Sequence, residues 1–228
     1  MKKKIMLLTL ILCLSVTLIF TGCDAASTPD GQDNEPVKDE NEQNDQNEPE
    51  PVSLTVEDVY PLNPGDSWTL KGEGNEFAGF EQKVLYREDN RVQTQFNNGG
   101  TTLGRIYEYQ DGKLKVVFNQ EEMYGDENIL KQENNVDQVI LAEPIEVGNS
   151  WESESNIFTI DSLSEKVVVP AGEFSDCIKV TVKSENGNIS YVYYKPGLGL
   201  VKQEYIGEEY KITEELQEYT VPSFKNNK

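Results

Sequence analysis

The sequence predicts a mainly β protein built on a single antiparallel sheet with two similar halves. Three observations carry this. Residues 54–228 hold frequent aromatics and recurrent Gly-containing turns, with no long apolar stripe of helical period. Turn pairs such as Asp111-Gly112 and Asn186-Gly187 separate runs in which apolar and polar residues alternate. An eight-residue pattern also occurs twice, as Pro61-Leu62-Asn63-Pro64-Gly65-Asp66-Ser67-Trp68 and as Pro144-Ile145-Glu146-Val147-Gly148-Asn149-Ser150-Trp151.

In each copy of the repeat, Gly followed by Asp or Asn is turn chemistry, because these residues tolerate left-handed backbone. The Trp then opens a strand with a large apolar payload. Each half is expected to be a turn, a Trp-led strand and a run of hairpins, with halves at about 58–140 and 141–221. Trp68 and Trp151 should occupy comparable places.

The hairpins follow in order. Asp89-Asn90 marks one between Val84-Leu85-Tyr86 and Val92. Asp111-Gly112 places Tyr109 opposite Leu114 and Tyr107 opposite Val116, with Phe118 on the same face and Glu108 opposite Lys115. Glu121 to Asn135 is polar and fits either a short helix or a long loop. Val169-Pro170-Ala171-Gly172 reads as a type I turn with Pro at its second position. Asn186-Gly187, read as a two-residue type I′ loop, sets Val182 opposite Tyr191 and Val180 opposite Tyr193. That register puts Lys179, Thr181 and Lys183 on the other face, together with Cys177 and Tyr194. Pro196-Gly197-Leu198-Gly199 breaks the next strand pair.

Composition excludes several functions. A net charge of −21 opposes nucleic-acid binding, which rests on neutralising phosphates with Lys and Arg. The absence of His removes Ser-His-Asp and Cys-His catalysis and every imidazole metal site. Three Cys cannot build a disulfide scaffold. No metal site and no cofactor is expected.

The N-terminus reads as an address. Lys2, Lys3 and Lys4 precede an apolar run from Ile5 to Phe20, too short to span a bilayer and typical of a signal peptide. Phe20-Thr21-Gly22-Cys23 resembles the lipobox of bacterial lipoproteins, with Phe20 where Leu is commonest. The resemblance implies cleavage between Gly22 and Cys23 and acylation of the Cys23 thiol. It makes residues 1–22 a lipoprotein signal peptide. A diacylglyceryl group would hold the chain on the outer, extracytoplasmic face of the cell membrane. Removing the three lysines takes the net charge from −21 to −24. Residues 24–53 hold ten Asp or Glu against one Lys, so they cannot bury enough apolar surface to offset their ordering entropy. With Cys23 they are expected to form a disordered acidic tether (23–53), leaving 54–228 as the β domain at −15.

The domain carries a second resemblance. Tyr60-Pro61-Leu62 with Gly65 and Trp68, then Val169-Pro170-Ala171-Gly172-Glu173-Phe174, then Tyr193 to Lys202 with Gly197-Leu198-Gly199-Leu200-Val201-Lys202, resemble a β-rich domain of bacterial lipoproteins and exported proteins of unknown function. These motifs are turn and core signatures spanning about Tyr60 to Tyr219. The resemblance implies a strongly curved sheet, a half-barrel or open sandwich, similar to envelope half-barrels that bind lipid or lipoprotein acyl chains.

Chemical candidates are few. Cys177 is expected to be structural, with partial exposure allowed by its parity. Paired carboxylates are the one acid–base option, but no local motif selects two of the 31 acidic residues of the domain. Tyr107, Tyr109, Tyr191, Tyr193 and Tyr194 are expected to be mostly core, with Tyr194 the best exposed aromatic. The reading is a non-enzymatic, lipid-anchored envelope binding or scaffold module. Its partner would be an envelope protein or a wall polymer, and its ligand-binding residues are unassigned. One alternative is a carrier of an apolar ligand in the concave face; a carboxylate-based hydrolase is the other.

Overall fold

The computed structural model describes residues 53–207 and 209–225. They form one short helix, α1 (Val56–Val59), and twelve strands. The first six are β1 (Ser67–Glu73), β2 (Gly79–Glu88), β3 (Arg91–Asn97), β4 (Thr102–Gln110), β5 (Lys113–Gln120) and β6 (Gln138–Ala142). The second six are β7 (Ser150–Ser153), β8 (Asn156–Val169), β9 (Gly172–Ser184), β10 (Ile189–Lys195), β11 (Gly199–Ile206) and β12 (Lys211–Thr220).

All twelve lie in one antiparallel sheet, ordered β6-β5-β4-β3-β2-β1-β12-β11-β10-β9-β8-β7. Each half is a six-stranded meander, and the halves join where β1 pairs with β12. The sheet curls until its outer strands, β6 and β7, meet again. Among the described residues no ladder joins these two strands. Val139 N–H donates to Ser153 Oγ at 2.8 Å, and Trp151 Nε1–H donates to the Val139 carbonyl at 3.2 Å. The single curved antiparallel sheet in two halves is therefore what forms, and it closes further than a half-barrel.

The repeat is visible in the backbone. Gly65 and Gly148 both have positive φ, +94° and +92°. Gly65 N donates to Val84 O (3.0 Å), and Val84 N returns a bond to Asp66 O (2.9 Å). In the second half Gly148 N donates to Ile160 O (2.8 Å), and Ile160 N returns a bond to Asn149 O (2.9 Å). Trp68 and Trp151 follow at equivalent points. Their surroundings differ: Trp68 is 1% exposed and donates to Leu198 O at 2.9 Å, while Trp151 is half-buried at the β6–β7 seam, stacked on Phe158.

Two registers depart from expectation. The β9–β10 hairpin pairs Ser190 with Val182, Val192 with Val180 and Tyr194 with Ile178. Ser184 N bonds Asn188 O, Gly187 N bonds Ser184 O, and only Gly187 of the loop has positive φ. The loop is thus three residues, a turn closed by a left-handed Gly, not the two-residue type I′ loop. The extra residue shifts the partner strand by one and exchanges its faces. Tyr191 falls beside Thr181 on the outer face, under the Lys179 ammonium, while Tyr194 turns into the core at 5% exposure. The β4–β5 hairpin has the expected pairs, Tyr109 with Leu114, Tyr107 with Val116 and Glu108 with Lys115. A bulge beyond Tyr107 then puts Phe118 opposite Ile106 in a separate outer cluster, off the Tyr107 face. Lys115 and Glu108 do not bridge each other; Lys115 reaches Asp137 at 3.1 Å and Glu108 faces Arg91 at 3.8 Å.

The segment Glu121–Asp137 is a loop lying on the outer face of the first half. Met123, Ile129 and Leu130 pack on Ile106, Val117 and Phe118. The fully buried Gln93 amide clamps the loop, accepting from Ile129 N (2.8 Å) and donating to Glu127 O (2.7 Å). Gly104 is required beneath it, because a Cβ there would stand 2.0 Å from Met123 Sδ.

Alternating strand direction divides the connections between two ends. About eight strands make a barrel whose side chains alone fill it, so twelve need more. At one end the filling is α1 and its continuation. Thr55 and Asp58 form a capping box, and Asp58 O accepts from Gly197 N at 2.7 Å, tying α1 to the β10–β11 turn. Tyr109 OH donates to Tyr60 O and accepts from Leu62 N. Val59, Tyr60, Leu62, Trp68 and Leu198 seal this end.

Trp68→Ala is expected to cost about 3–5 kcal/mol, as for other fully buried aromatics. Trp151→Ala should cost less than half as much in the same urea titration; equal losses would contradict the difference in burial. A second expectation concerns Asp66, which is buried and whose carboxyl pKa desolvation raises above the ordinary 3.8. A raised folded pKa means stability falls as pH rises through it. Asp66→Asn, which copies Asn149, should therefore gain on the wild type as pH climbs above 3.8. A gain that shrinks with rising pH would overturn this.

Candidate functional site

The other end of the barrel is open and holds a cavity of about 470 Å³. Its floor is an aromatic cluster. The Tyr60 ring meets Trp68 edge-on at 5.4 Å and lies 6.5 Å from Tyr107 and 6.1 Å from Tyr194. Burial holds the Tyr60 and Tyr194 hydroxyls well above the ordinary tyrosine range, so both stay neutral. Gly199 allows Tyr60 to lie there: it has φ +91°, and a Cβ would sit 2.1 Å from the ring.

The walls differ in chemistry. On the second-half side Phe158, Val182, Val192 and Leu200 form an apolar strip, with Asn156, Ser184, Ser190, Gln203 and Glu214 among the residues around it. On the first-half side Phe80 and Phe96 pack at 4.2 Å, and the Arg105 guanidinium lies over Phe96 at 5.2 Å and Tyr107 at 5.9 Å. Arg105 Nε donates to Asn119 Oδ1 (2.9 Å) and Nη1 to Tyr107 OH (3.3 Å). Gln82, 2% exposed, accepts from Tyr60 OH at Oε1 (3.3 Å), while its Nε2 has no hydrogen-bond partner. A buried donor left unpaired costs about 1–3 kcal/mol. Glu214 also lines the cavity, with its oxygens accepting from Gly79 N (3.1 Å) and from Gln203 Nε2.

The expected site residues fall as follows. Gly22 and Cys23 lie outside the described residues, as does nearly all of the tether. Cys177 is fully buried, so the partial exposure its parity allowed is not found. Burial pushes its thiol up to about 11, which leaves it a thiol at neutral pH. Tyr107 and Tyr194 belong to the core and floor, whereas Tyr191 lies on the outer face; the three-residue loop buries Tyr194, the expected exposed aromatic, and turns Tyr191 outward. A two-carboxylate site is not assembled here, since Glu214 is the one carboxylate among the residues lining the cavity. Among the described residues no cluster of three metal-ligating side chains occurs.

Arg105 and Gln82 were not singled out by sequence, although a signal existed. Tyr107 and Tyr109 were placed on one inward face, and two residues back on that face stands Arg105. A charged residue on a core-facing row is unusual and worth weighing on its own.

The domain is thus a twelve-stranded up-and-down sheet curled into a nearly closed barrel, sealed at one end and cupped at the other. No family model matches the chain, and no curated protein matches it. Two solved structures resemble it in part. One is a candidate exported protein with a YmcC-like fold from Bacteroides fragilis, 15% identical, with a TM-score of 0.47. The other is a candidate lipoprotein from Parabacteroides distasonis, 16% identical, with a TM-score of 0.41. Each alignment covers 71% of this chain and 98% of the other.

Cys177 should resist Ellman's reagent at pH 8 in the folded chain from residue 24 onward, where it is the one thiol, and react once urea unfolds it. Rapid reaction of the folded chain would contradict its burial.

Proposed function

We propose that this chain is a lipid-anchored, extracytoplasmic binding protein, non-enzymatic, whose barrel takes a small ligand with an apolar body through its open end. The observation that carries the binding is the cavity itself. At about 470 Å³ it falls within the roughly 300–1,000 Å³ of small-molecule sites, and apolar side chains share its lining with polar ones. Of the alternatives weighed from sequence, this is the carrier. That reading needs an unfilled concave face lined by Leu, Val, Ile and Phe, and a face plugged by Trp68, Trp151 and the tyrosines would rule it out. Tyr60, Tyr107, Tyr194 and Tyr205 line part of the cavity, and the space left beside Phe80, Phe96, Phe158, Val182, Val192 and Leu200 supports this reading. The anchor rests on sequence alone: the basic start, the apolar run, small Thr21 and Gly22, and Cys23 in the right order.

Two experiments test the two parts. The chain from residue 23 onward, made without its signal so that no lipid is attached, should enhance the fluorescence of the neutral dye N-phenyl-1-naphthylamine. Val192→Trp, which fills the cavity, should abolish the enhancement while leaving the circular dichroism of the sheet unchanged. Enhancement that survives in Val192→Trp would place the dye elsewhere and end the reading. For the anchor, Cys23→Ala should remove incorporation of labelled palmitate and leave the precursor uncut; continued incorporation would refute lipidation at Cys23.

A further inference from the structure

The cavity's polar groups are mismatched in a way that describes its ligand. Arg105 is the one cation among the residues lining the cavity. It has no carboxylate within 4 Å among the described residues, and the bonds it makes go to two neutral acceptors, Asn119 Oδ1 and Tyr107 OH. A guanidinium has five N–H donors, and these two bonds leave three unused. The Gln82 amide contributes two more through its unpartnered Nε2. The cavity's carboxylate, Glu214, accepts from Gly79 N and Gln203 Nε2 and bonds neither Arg105 nor Gln82 Nε2.

The sheet register puts these spare donors on one patch. Gln82 on β2 pairs with Phe96 on β3, and Arg105 on β4 pairs with Thr94, two residues along the same inward row of β3. The guanidinium lies over the Phe96 ring, so Phe96 separates the two donors by one side chain. On the second-half side the apolar residues Phe158, Val182, Val192 and Leu200 line the cavity, together with the polar Asn156, Ser184, Ser190 and Gln203.

We propose that the ligand is an amphiphilic anion. Its acidic head accepts from the free N–H edge of Arg105 and from Gln82 Nε2, and its apolar body lies against the second-half wall. This rests on the reading of the cavity as a binding site. A planar, permanently charged fork suits a carboxylate, phosphate or sulfonate head, because two parallel N–H groups can meet two oxygens. The domain's −15 opposes any anion at a distance, but that field is screened over about 8 Å at physiological salt, while Arg105 acts at contact. The head is therefore held by direct bonds, and long-range steering does not assist it.

Decanoate and decanol share a body and differ in the head, so they separate this inference from the reading beneath it. Each is titrated calorimetrically, at pH 7.5 and below its micelle concentration, into the chain from residue 23 onward. Decanoate is expected to bind at least tenfold more tightly than decanol. Arg105→Gln should remove that preference and leave decanol within twofold; Arg105→Lys, which keeps the charge, should restore part of it. Folding of each variant is checked by N-phenyl-1-naphthylamine binding. If decanol binds as well as decanoate, and Arg105→Gln changes neither, the cavity is a binding site but the anionic head is wrong. If the dye and both probes fail to bind the wild-type chain, the cavity reading falls and takes this inference with it.

Discussion

The barrel depends on one indole. Trp68 stands at the start of β1, where the first strand of the chain pairs with the last, opposite Tyr219. Its ring is buried against Tyr60, and its N–H reaches the Leu198 carbonyl 130 residues away. Pairing between β1 and β12 alone would join two meanders into a long, open sheet. The indole adds a point where both halves and the N-terminal plug meet, so curvature, closure and the sealed end are set together. Burying so large a ring while satisfying its donor is what makes this joint stable.

The floor of the cavity follows from that joint. Trp68 supports Tyr60 edge-on, and Tyr60 fixes the Gln82 amide by donating to its oxygen. The amide nitrogen is consequently left over. The same packing that seals one end thus produces an unmet donor at the bottom of the other. Below Tyr60 the interior is close-packed and apolar; above it, polar groups enter because the ring of twelve strands is too wide for side chains to fill. The sealed end and the cup are two results of one strand count.

The fold was legible in the sequence because its signals are local. The repeated Pro-aliphatic-x-x-Gly-Asp/Asn-Ser-Trp motif announces both halves, since its Gly needs positive φ and its neighbour needs a turn. Asp111-Gly112 has positive φ at both residues, and its register came out as expected for the pairs nearest the loop. The errors also have local causes. Asn186-Gly187 can close a loop of two residues or of three, and the choice moves every side chain of β10 to the other face. Phe118 was misplaced by a bulge, which leaves no mark in composition. The cavity was less legible, because it depends on how far the sheet curls, and that is decided by contacts such as Trp68 to Leu198. Its charged residue could have been found by parity from Tyr107; the loneliness of Gln82 Nε2 could not.

The seam between β6 and β7 gives the wall an unusual mechanical character. Around the rest of the circumference, widening the ring would break rows of backbone bonds at once. At the seam it would break the Ser153 and Trp151 bonds to Val139, each worth about 1 kcal/mol net. The domain is in effect a split collar, stiff in its body and compliant along one line. That line borders the cup, since Gln138 and Ile140 of β6 and Asn156 and Phe158 beside β7 all line it. The bore can therefore widen along that line with the ladders intact, which a seamless barrel of the same size could not do.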